Sequence, residues 1–176
     1  MADIADLTGQ CGVRTIPGFK TLLFAVCACD ILTFPEYKTT TAVGDSITLD
    51  GNIVLKTGKR FAQLEVISET GKLTETEVGV VGSQVFQSQF EFKLPKTIAS
   101  DEWLDANPNS CMVFVIEDKD GNKRVIGNDK VPATRMAAVG NNGPALADEK
   151  TWAITIMDNT GRIAPYYEGI IDVTGV

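Results

Sequence analysis

The sequence predicts one domain that is built mainly of antiparallel β-strands. Helix signals are scarce, short apolar or alternating segments recur along the chain, and Gly, Asp and Asn separate these segments at turn positions. The chain has 176 residues, which is close to the usual size of one domain and sufficient to bury a core. No repeat, linker or change in composition divides it, so we expect a single domain over residues 1–176.

The first half of the chain supplies the first strands. Residues 20–31 form a nearly continuous apolar segment that ends before Phe34-Pro35. Asp50-Gly51 lies between two short apolar segments and is the dipeptide typical of a hairpin turn. Residues 60–69 and 72–81 are predicted to pair as one long hairpin, because a glycine-containing turn separates two strand-like segments.

The middle of the chain predicts one strand with two different faces and one helix. Residues 84–94 alternate, with Phe, Ser and Leu on one face and Gln, Glu and Lys on the other. This period of two is typical of a half-buried antiparallel strand. Residues 100–106 are predicted to form a short helix with Ser100 as N-cap. Trp103 and Leu104 are expected to hold that helix against a sheet.

The last third of the chain predicts two further hairpins and one loop. Residues 111–117 form a buried strand that turns into residues 123–127. Residues 129–148 have no clear period, and a loop of this length is usually functional or mobile. Residues 151–157 and 162–173 are predicted to pair as a closing hairpin.

The composition argues against several classes of function. The net charge is −7 and the isoelectric point is near 4.6, whereas a protein that grips nucleic acid needs clustered Lys and Arg. The chain has no histidine, so it lacks the usual general base near neutral pH and the Ser-His and Cys-His nucleophile pairs. We therefore expect neither enzymatic activity nor a cofactor.

The metal-like and phosphate-like motifs are better explained as turns. The segment that begins at Asp118 resembles a calcium loop, but its glycine, Gly121, is fourth instead of sixth and Asp129 stands where glutamate is required. Gly79-x-x-Gly82 is not followed by a helix, so it does not predict a phosphate site.

The four cysteines are expected to be free, mostly buried thiols. The N-terminus has no basic and apolar leader, which predicts synthesis in a reducing cytoplasm. The longest apolar run, residues 22–29, is too short to span a membrane. Cys27-x-Cys29 would point two thiols to one face of a strand, but no histidine and no correctly spaced cysteine completes a metal site.

The predicted hairpin at residues 60–81 is unusually acidic on one face. Glu65 lies on the first arm, and Glu75 and Glu77 lie on the second. An ordinary solvent-facing hairpin would explain these glutamates as aids to solubility. However, both arms are long, and they have little Lys to block edge pairing. If neighbouring copies pair edge to edge in a ring, the hairpins close into a barrel and the glutamates face a channel that does not hold DNA.

Three stretches resemble the major tail tube protein of long-tailed phages of Bacteroidetes-type hosts. The first is CGVRTIPGFKTLLFAVCACDILTFP at residues 11–35, an apolar strand between a glycine-containing lead-in and a turn. The second is the acidic hairpin at residues 60–81. The third is TWAITIMDNTGRIAPYYEGIIDV at residues 151–173, with its Ala-Pro-Tyr and Gly. The three stretches follow one another in order between residues 11 and 173, and the resemblance is one of architecture and not of invariant residues.

This resemblance implies a specific fold and assembly. The implied fold is a β-sandwich or small barrel with one short flanking helix, assembled as hexameric rings. The rings would stack into a tube in the virion tail, contact other tail proteins and let DNA pass without binding it. Residues 129–148 and 1–18 are the candidates for contacts between rings. Glu65, Glu75 and Glu77 are predicted to line the lumen, and the inter-subunit hairpin is assigned to Arg60, Phe61, Leu64, Val66, Leu73, Val78 and Val80.

Two other functions remain open at this point. A capsid decoration or tail-terminator protein would also be acidic and rich in β-structure, but it would not polymerise into long tubes. A non-enzymatic ligand-binding β module, such as a carbohydrate-binding one, would present exposed aromatic side chains. The candidates for such a platform are Trp152, Tyr166 and Tyr167.

Overall fold

The computed structural model describes residues 17–107, 111–144 and 149–175, and these residues form two packed β-sheets flanked by one α-helix. The described residues contain the helix α1 (Ile98–Ala106) and thirteen strands. The strands are β1 (Leu22–Cys27), β2 (Ile31–Thr33), β3 (Glu36–Tyr37), β4 (Thr48–Asp50), β5 (Val54–Leu55), β6 (Ala62–Glu65), β7 (Lys72–Val78), β8 (Val85–Pro95), β9 (Met112–Glu117), β10 (Lys123–Ile126), β11 (Thr134–Asn141), β12 (Thr151–Asp158) and β13 (Tyr166–Tyr167).

The two main sheets have seven and four strands. The seven-stranded sheet has the order β3-β4-β13-β10-β9-β1-β6, and the four-stranded sheet has the order β11-β12-β8-β7. Neighbours are antiparallel throughout, except that β13 runs parallel to β4. A third sheet pairs β2 with β5. The predicted mainly β fold with one short helix is thus confirmed, and the described strands form open sheets with no closed barrel.

The main core lies between the two large sheets. The four-stranded sheet contributes apolar side chains of β8 and β12, and the seven-stranded sheet contributes those of β1, β9 and β10. Its largest members include Phe90, Phe92, Phe114, Ile126, Ile154 and Ile156. A second core on the far face of the seven-stranded sheet contains Leu49, Phe61 and Tyr167. The seven-stranded sheet is therefore covered on both faces, whereas the four-stranded sheet is covered on one.

Strand β8 follows its sequence pattern. Ser88, Phe90, Phe92 and Leu94 are buried, and the residues between them are more exposed. Because side chains alternate across a strand, this pattern alone separates the core face of β8 from its outer face.

The helix begins two residues before the predicted N-terminus. Thr97 is the N-cap, and its hydroxyl accepts the N–H of Ser100 at 3.2 Å. Ser100 in turn accepts the N–H of Thr97 at 2.8 Å, which completes a capping box. Leu104 is buried in the main core and Trp103 packs against it, as expected. Ser100 was a capping residue, but at the third helical position instead of the cap.

The predicted hairpin at residues 60–81 is wrong. Strand β6 pairs with β1 in the seven-stranded sheet, and β7 pairs with β8 in the four-stranded sheet. The chain crosses from one sheet to the other between Val66 and Ile67. The Val66 N–H donates to Thr21 O, next to β1, at 2.6 Å, and the Ile67 N–H donates to Lys93 O, on β8, at 2.9 Å. The turn at residues 67–71 is therefore a corner of the sandwich. The long hairpin of this fold is β7–β8.

Gly71 explains why this corner is tight. A Cβ atom at this position would lie 3.2 Å from the Phe19 Cβ and 3.3 Å from the Phe90 ring. The lack of a side chain at Gly71 therefore lets the corner lie close to the core. In the sequence, this glycine cannot be distinguished from the glycine of a hairpin turn.

Two further hairpin predictions are wrong for the same reason. Strand β4 pairs with β3 and β13 while β5 pairs with β2, so Asp50-Gly51 joins two different sheets. Strand β12 pairs with β8 and β11, whereas β13 lies in the other sheet. Only the hairpin of β9 and β10 is as predicted. A tight turn can lead either to a strand that pairs with the previous one or to a strand of another sheet, and the same turn residues are found in both cases.

The region at residues 129–148 is not one loop, because β11 occupies residues 134–141 of it. Residues 145–148 lie outside the described residues, as do residues 1–16 of the proposed N-terminal arm. In the part of the chain that the structure describes, no helix is both long enough and apolar enough to cross a membrane.

Candidate assembly surface

The outer face of the four-stranded sheet is a broad surface of mostly uncharged side chains, which are polar on β7 and β8 and largely apolar on β11 and β12. Strand register places Thr74, Thr76, Gln87, Gln89 and Thr155 on this face, and it adds the apolar side chains of Ala137, Val139, Ala153 and Met157. Its charged members are Lys72, Glu91 and Lys93. Lys72 lies opposite Glu91 on the neighbouring strand, and Lys93 forms an ion pair with Glu149 at 2.5 Å. The face therefore offers hydrogen-bonding groups without a strong electrostatic field. We call it the Thr/Gln face.

Both edges of the four-stranded sheet are open. Strand β7 forms one edge and β11 forms the other, and no described strand pairs with the outer side of either. A bulge between Arg135 and Ala137 interrupts β11 near its start. Residues 137–141 then continue as a regular strand with small, uncharged side chains. Unpaired N–H and C=O groups along such edges are a template for pairing with another chain.

Glu75 does not belong to a free acidic face. Its carboxylate accepts a hydrogen bond from Arg124 Nη1 at 3.0 Å and another from the Ala164 N–H at 3.1 Å. Arg124 also donates to the Tyr166 hydroxyl at 2.8 Å and lies over that ring. Because β7 and β10 are in opposite sheets, this ion pair joins the two layers of the sandwich.

The three predicted lumen glutamates do not share a surface. Glu65 is exposed on β6, the edge of the seven-stranded sheet. Glu77 is exposed on β7 opposite Phe86, on the same side as Glu75 and away from the Thr/Gln face. The hairpin that would have aligned them does not form. The geometric basis for a common acidic lumen is thus removed.

The residues assigned to the inter-subunit hairpin divide between core and surface. Phe61 is 0% exposed and Val66 is buried, so both are core residues. Leu64 and Leu73 pack partly buried against the main core. Arg60, Val78 and Val80 remain at or near the surface, and Val80 is 75% exposed. Several of these apolar residues face the core because a second sheet packs against theirs, and the sequence alone does not show that sheet.

Sequence reasoning missed the Thr/Gln face, although its signal was present. The polar residues of β8 had been assigned to one face, and Thr74 and Thr76 alternate with glutamates along β7. Only the register of β7 with β8 shows that the threonines, and not the glutamates, continue the glutamine face.

A cleft of about 400 Å³ lies where β3, residues 127–130 and the end of β12 meet. Its wall includes Asp158, which is 1% exposed. One carboxylate oxygen accepts the Thr160 N–H at 2.8 Å, but the other has no partner among the described residues. Burial raises the pKa of Asp158 above its usual range, and the N–H groups of Thr160 and Gly127 oppose that shift.

The aromatic residues do not form an exposed platform. Tyr167 is buried, and its hydroxyl accepts the Ile53 N–H at 3.0 Å. Trp152 packs against the core and donates to Asp101 at 2.5 Å. Tyr166 is covered by Arg124. These positions do not favour a carbohydrate-binding surface.

The prediction of free, buried thiols is wrong for Cys27 and Cys29, and for Cys111 it is confirmed as to the free thiol but wrong as to its burial. Cys27 and Cys29 are joined by a disulfide at the end of β1, and Cys111 is an exposed thiol. Cys11 lies outside the described residues. Cys27 pairs with β9 while Cys29 belongs to the turn at Ala28–Asp30, so the two cysteines do not sit on one strand face as expected.

Comparison of the chain with protein-family models, with curated proteins and with solved structures gives no match. The function must therefore be argued from the geometry of the described residues and from the resemblance in sequence.

Proposed function

We propose that this protein is a structural virion protein, a tail tube subunit that assembles into rings and stacked tubes for genome delivery. The observation that supports this most is the four-stranded sheet, which has two open edges, one covered face and one mostly uncharged face. The proposal retains the ring assembly expected from the sequence and moves it from the predicted hairpin to this sheet.

Strand direction favours a ring. The four strands alternate in direction across the sheet, so the two edge strands, β7 and β11, run opposite to one another. When a copy is placed beside another by rotation about a common axis, its β11 meets the neighbour's β7 antiparallel. The sheet then continues without a break in pattern, and repetition around the axis closes it into a barrel that has no edges.

The channel of this barrel would be lined by the Thr/Gln face. The other face of the four-stranded sheet is covered by the seven-stranded sheet, which must lie on the outside of the ring. Neutral Thr and Gln side chains form no ion pairs with phosphates, so DNA slides past them. A wall of Lys or Arg would instead bind the backbone by displacing its counterions.

The remaining parts of the proposal follow from this role. The partners are further copies of this chain and other tail proteins, and DNA passes without specific binding. The subunit acts without catalysis or a cofactor, is made in the host cytoplasm and functions in the virion tail. The ring number, six, is the number that the sequence resemblance implies.

The test is negative-stain electron microscopy of the purified protein over a concentration series. We expect rings or tubes with a central hole. A second sample should carry Val139→Lys, which places a charge on the open edge strand β11, on the Thr/Gln face opposite Ala153. The position is 63% exposed, so the change should leave the fold intact.

The matched control is Val43→Lys, a substitution of a highly exposed valine that lies outside the sheet. The proposal predicts that Val139→Lys lowers ring formation whereas Val43→Lys does not. A protein that stays monomeric at high concentration, or rings that are equally insensitive to both changes, would contradict edge pairing and favour a decoration or tail-terminator role.

A further inference from the structure

The β7–β8 hairpin ends in an exposed apolar tip. Residues 79–84 connect the two strands, and the Ser83 N–H donates to Val80 O at 2.9 Å across a turn in which Gly82 has φ 90°. Val81 stands at the corner of this turn and is 95% exposed. Val80, Val85 and Phe86 are exposed beside it. Residues 78–90 contain no charged side chain, so burial of this tip in a contact removes no charge from water.

A groove lies at the opposite end of the same strand. It has a volume of about 350 Å³, lies between β6, the end of β8 and the start of α1, and has apolar walls from Leu64, Leu94, Pro95, Ala99 and Trp103. Glu65 is the charged residue in its lining, and it is exposed. We call this feature the helix groove.

The tip and the helix groove are placed for repeated contact between copies. The tip precedes Val85 and the groove includes Leu94 and Pro95, so about 33 Å of extended strand separates them. Movement of one copy along the direction of β8 brings its tip to the groove of the next. Such a contact joins two different surfaces and does not close on itself, which is the geometry that generates filaments.

We propose that the tip of the β7–β8 hairpin inserts into the helix groove of a copy in the next ring, and that this contact stacks the rings into a tube. The occupant of the groove is the tip of a second copy of this chain. The tip is apolar, as the groove walls are, and it carries no negative charge that would be repelled by Glu65. This inference rests on the proposed function and adds to it the polarity of stacking. Each contact is small, but a ring presents as many contacts as it has subunits, so stacking is strengthened by multivalency.

The test compares ring stacking in the unmodified protein and in four variants by sedimentation and negative-stain electron microscopy. Val81→Asp places a negative charge at the tip and, in the groove, near Glu65. We expect rings to form and the protein concentration needed for tubes to rise about tenfold or more. Val81→Asp combined with Glu65→Lys should restore tubes, because opposite charges then meet. Val43→Asp, at an exposed valine remote from the tip, should stack like the unmodified protein.

The outcomes separate this inference from the proposed function. Rings without tubes for Val81→Asp, and recovery in the double variant, support tip insertion. Normal tubes from Val81→Asp overturn it while leaving the ring proposal intact. Absence of rings from the unmodified protein overturns both. Val81→Asn is a second, uncharged variant that suits a turn position, and it should weaken stacking in the same direction if the apolar contact matters.

Discussion

At the scale of single residues, the structure assigns different tasks to acidic side chains that look equivalent in the sequence. Glu75 is fixed between the two sheets by Arg124 and the Ala164 N–H, whereas Glu77, two residues later, is exposed at the surface. Asp158 is buried, and one of its carboxylate oxygens has no partner in the part of the chain that the structure describes. Each of these differences predicts a change in the free energy of unfolding when the side chain is replaced.

Glu75→Ala should destabilise the fold by about 1–3 kcal/mol, because it leaves the Ala164 N–H and the Arg124 guanidinium without their carboxylate partner. The matched variant Glu77→Ala removes an exposed carboxylate from the same strand and should change stability by less than about 0.5 kcal/mol. Urea unfolding of both variants checks this. Equal losses in the two variants would show that Glu75 does not join the sheets.

Asp158→Asn should stabilise the protein at pH 7 by about 1 kcal/mol or more, because it removes a buried charge and keeps a carbonyl oxygen for the Thr160 N–H. The folded-state pKa of Asp158 is raised, so the native protein loses stability as pH rises from the ordinary pKa of aspartate through the folded-state pKa. The advantage of the variant should therefore shrink as pH falls through that window. Thermal unfolding of both proteins between pH 4 and pH 7 measures it, and a difference independent of pH would refute the assignment.

At the scale of elements, Gly140 on the edge strand β11 leaves the space that the indole ring of Trp152 occupies. Gly140 lies opposite Trp152 on β12, and a Cβ atom at Gly140 would lie 2.8 Å from the indole ring. Trp152 is also held by Asp101 at the start of α1 and by Lys96 over its ring. Trp152 thus links the edge strand β11, on which its ring packs at Gly140, to the helix α1 through Asp101.

Gly140→Val should destabilise the protein by about 1–3 kcal/mol, because the added side chain displaces Trp152 from a packed position. Tryptophan fluorescence should shift toward that of a solvated indole, and the urea midpoint should fall. Val139→Ala, at the neighbouring exposed position, is the control and should leave both unchanged. A variant with native fluorescence and midpoint would show that the ring does not rest on Gly140.

At the scale of the whole molecule, the order of strands decides which residues meet a passing polymer. The proposed ring places the Thr/Gln face inside and Glu77 on the other side of β7. The sequence alone had suggested the reverse. The two arrangements predict different effects of the same charge change.

Gln87→Lys with Gln89→Lys should make assembled tubes retain short duplex DNA, because the added cations face the channel and bind phosphate. Glu77→Lys also makes the charge more positive, but on the other side of β7 from the Thr/Gln face, so its tubes should not retain DNA. Tubes assembled with DNA, treated with nuclease and then examined for protected DNA distinguish the two. Protection by the Glu77→Lys tubes alone would restore the acidic-lumen arrangement.

Much of this fold could be predicted from the sequence because the relevant signals are local. The alternation in residues 84–94 located β8 and its core face, and the helix signal near Ser100 located α1 within two residues. The strand of residues 111–117 and its turn at residues 118–122 were also correct. These features depend on the period of apolar residues and on turn chemistry over a few positions.

The pairing of strands could not be predicted, because a turn does not specify which sheet the next strand joins. Glu69-Thr70-Gly71-Lys72 is compatible with a hairpin. In the structure it belongs to a corner that bonds to β8, because the Ile67 N–H donates to Lys93 O and the Thr70 hydroxyl accepts the Lys93 N–H. The face on which Glu75 lies, and hence its contact with Arg124, depends on that register. By itself the sequence therefore determined the β-rich composition, the helix and the faces of single strands. The tertiary structure decided which strands pair, which edges stay open and which polar side chains share a surface, because these depend on burial between layers that are far apart in the chain.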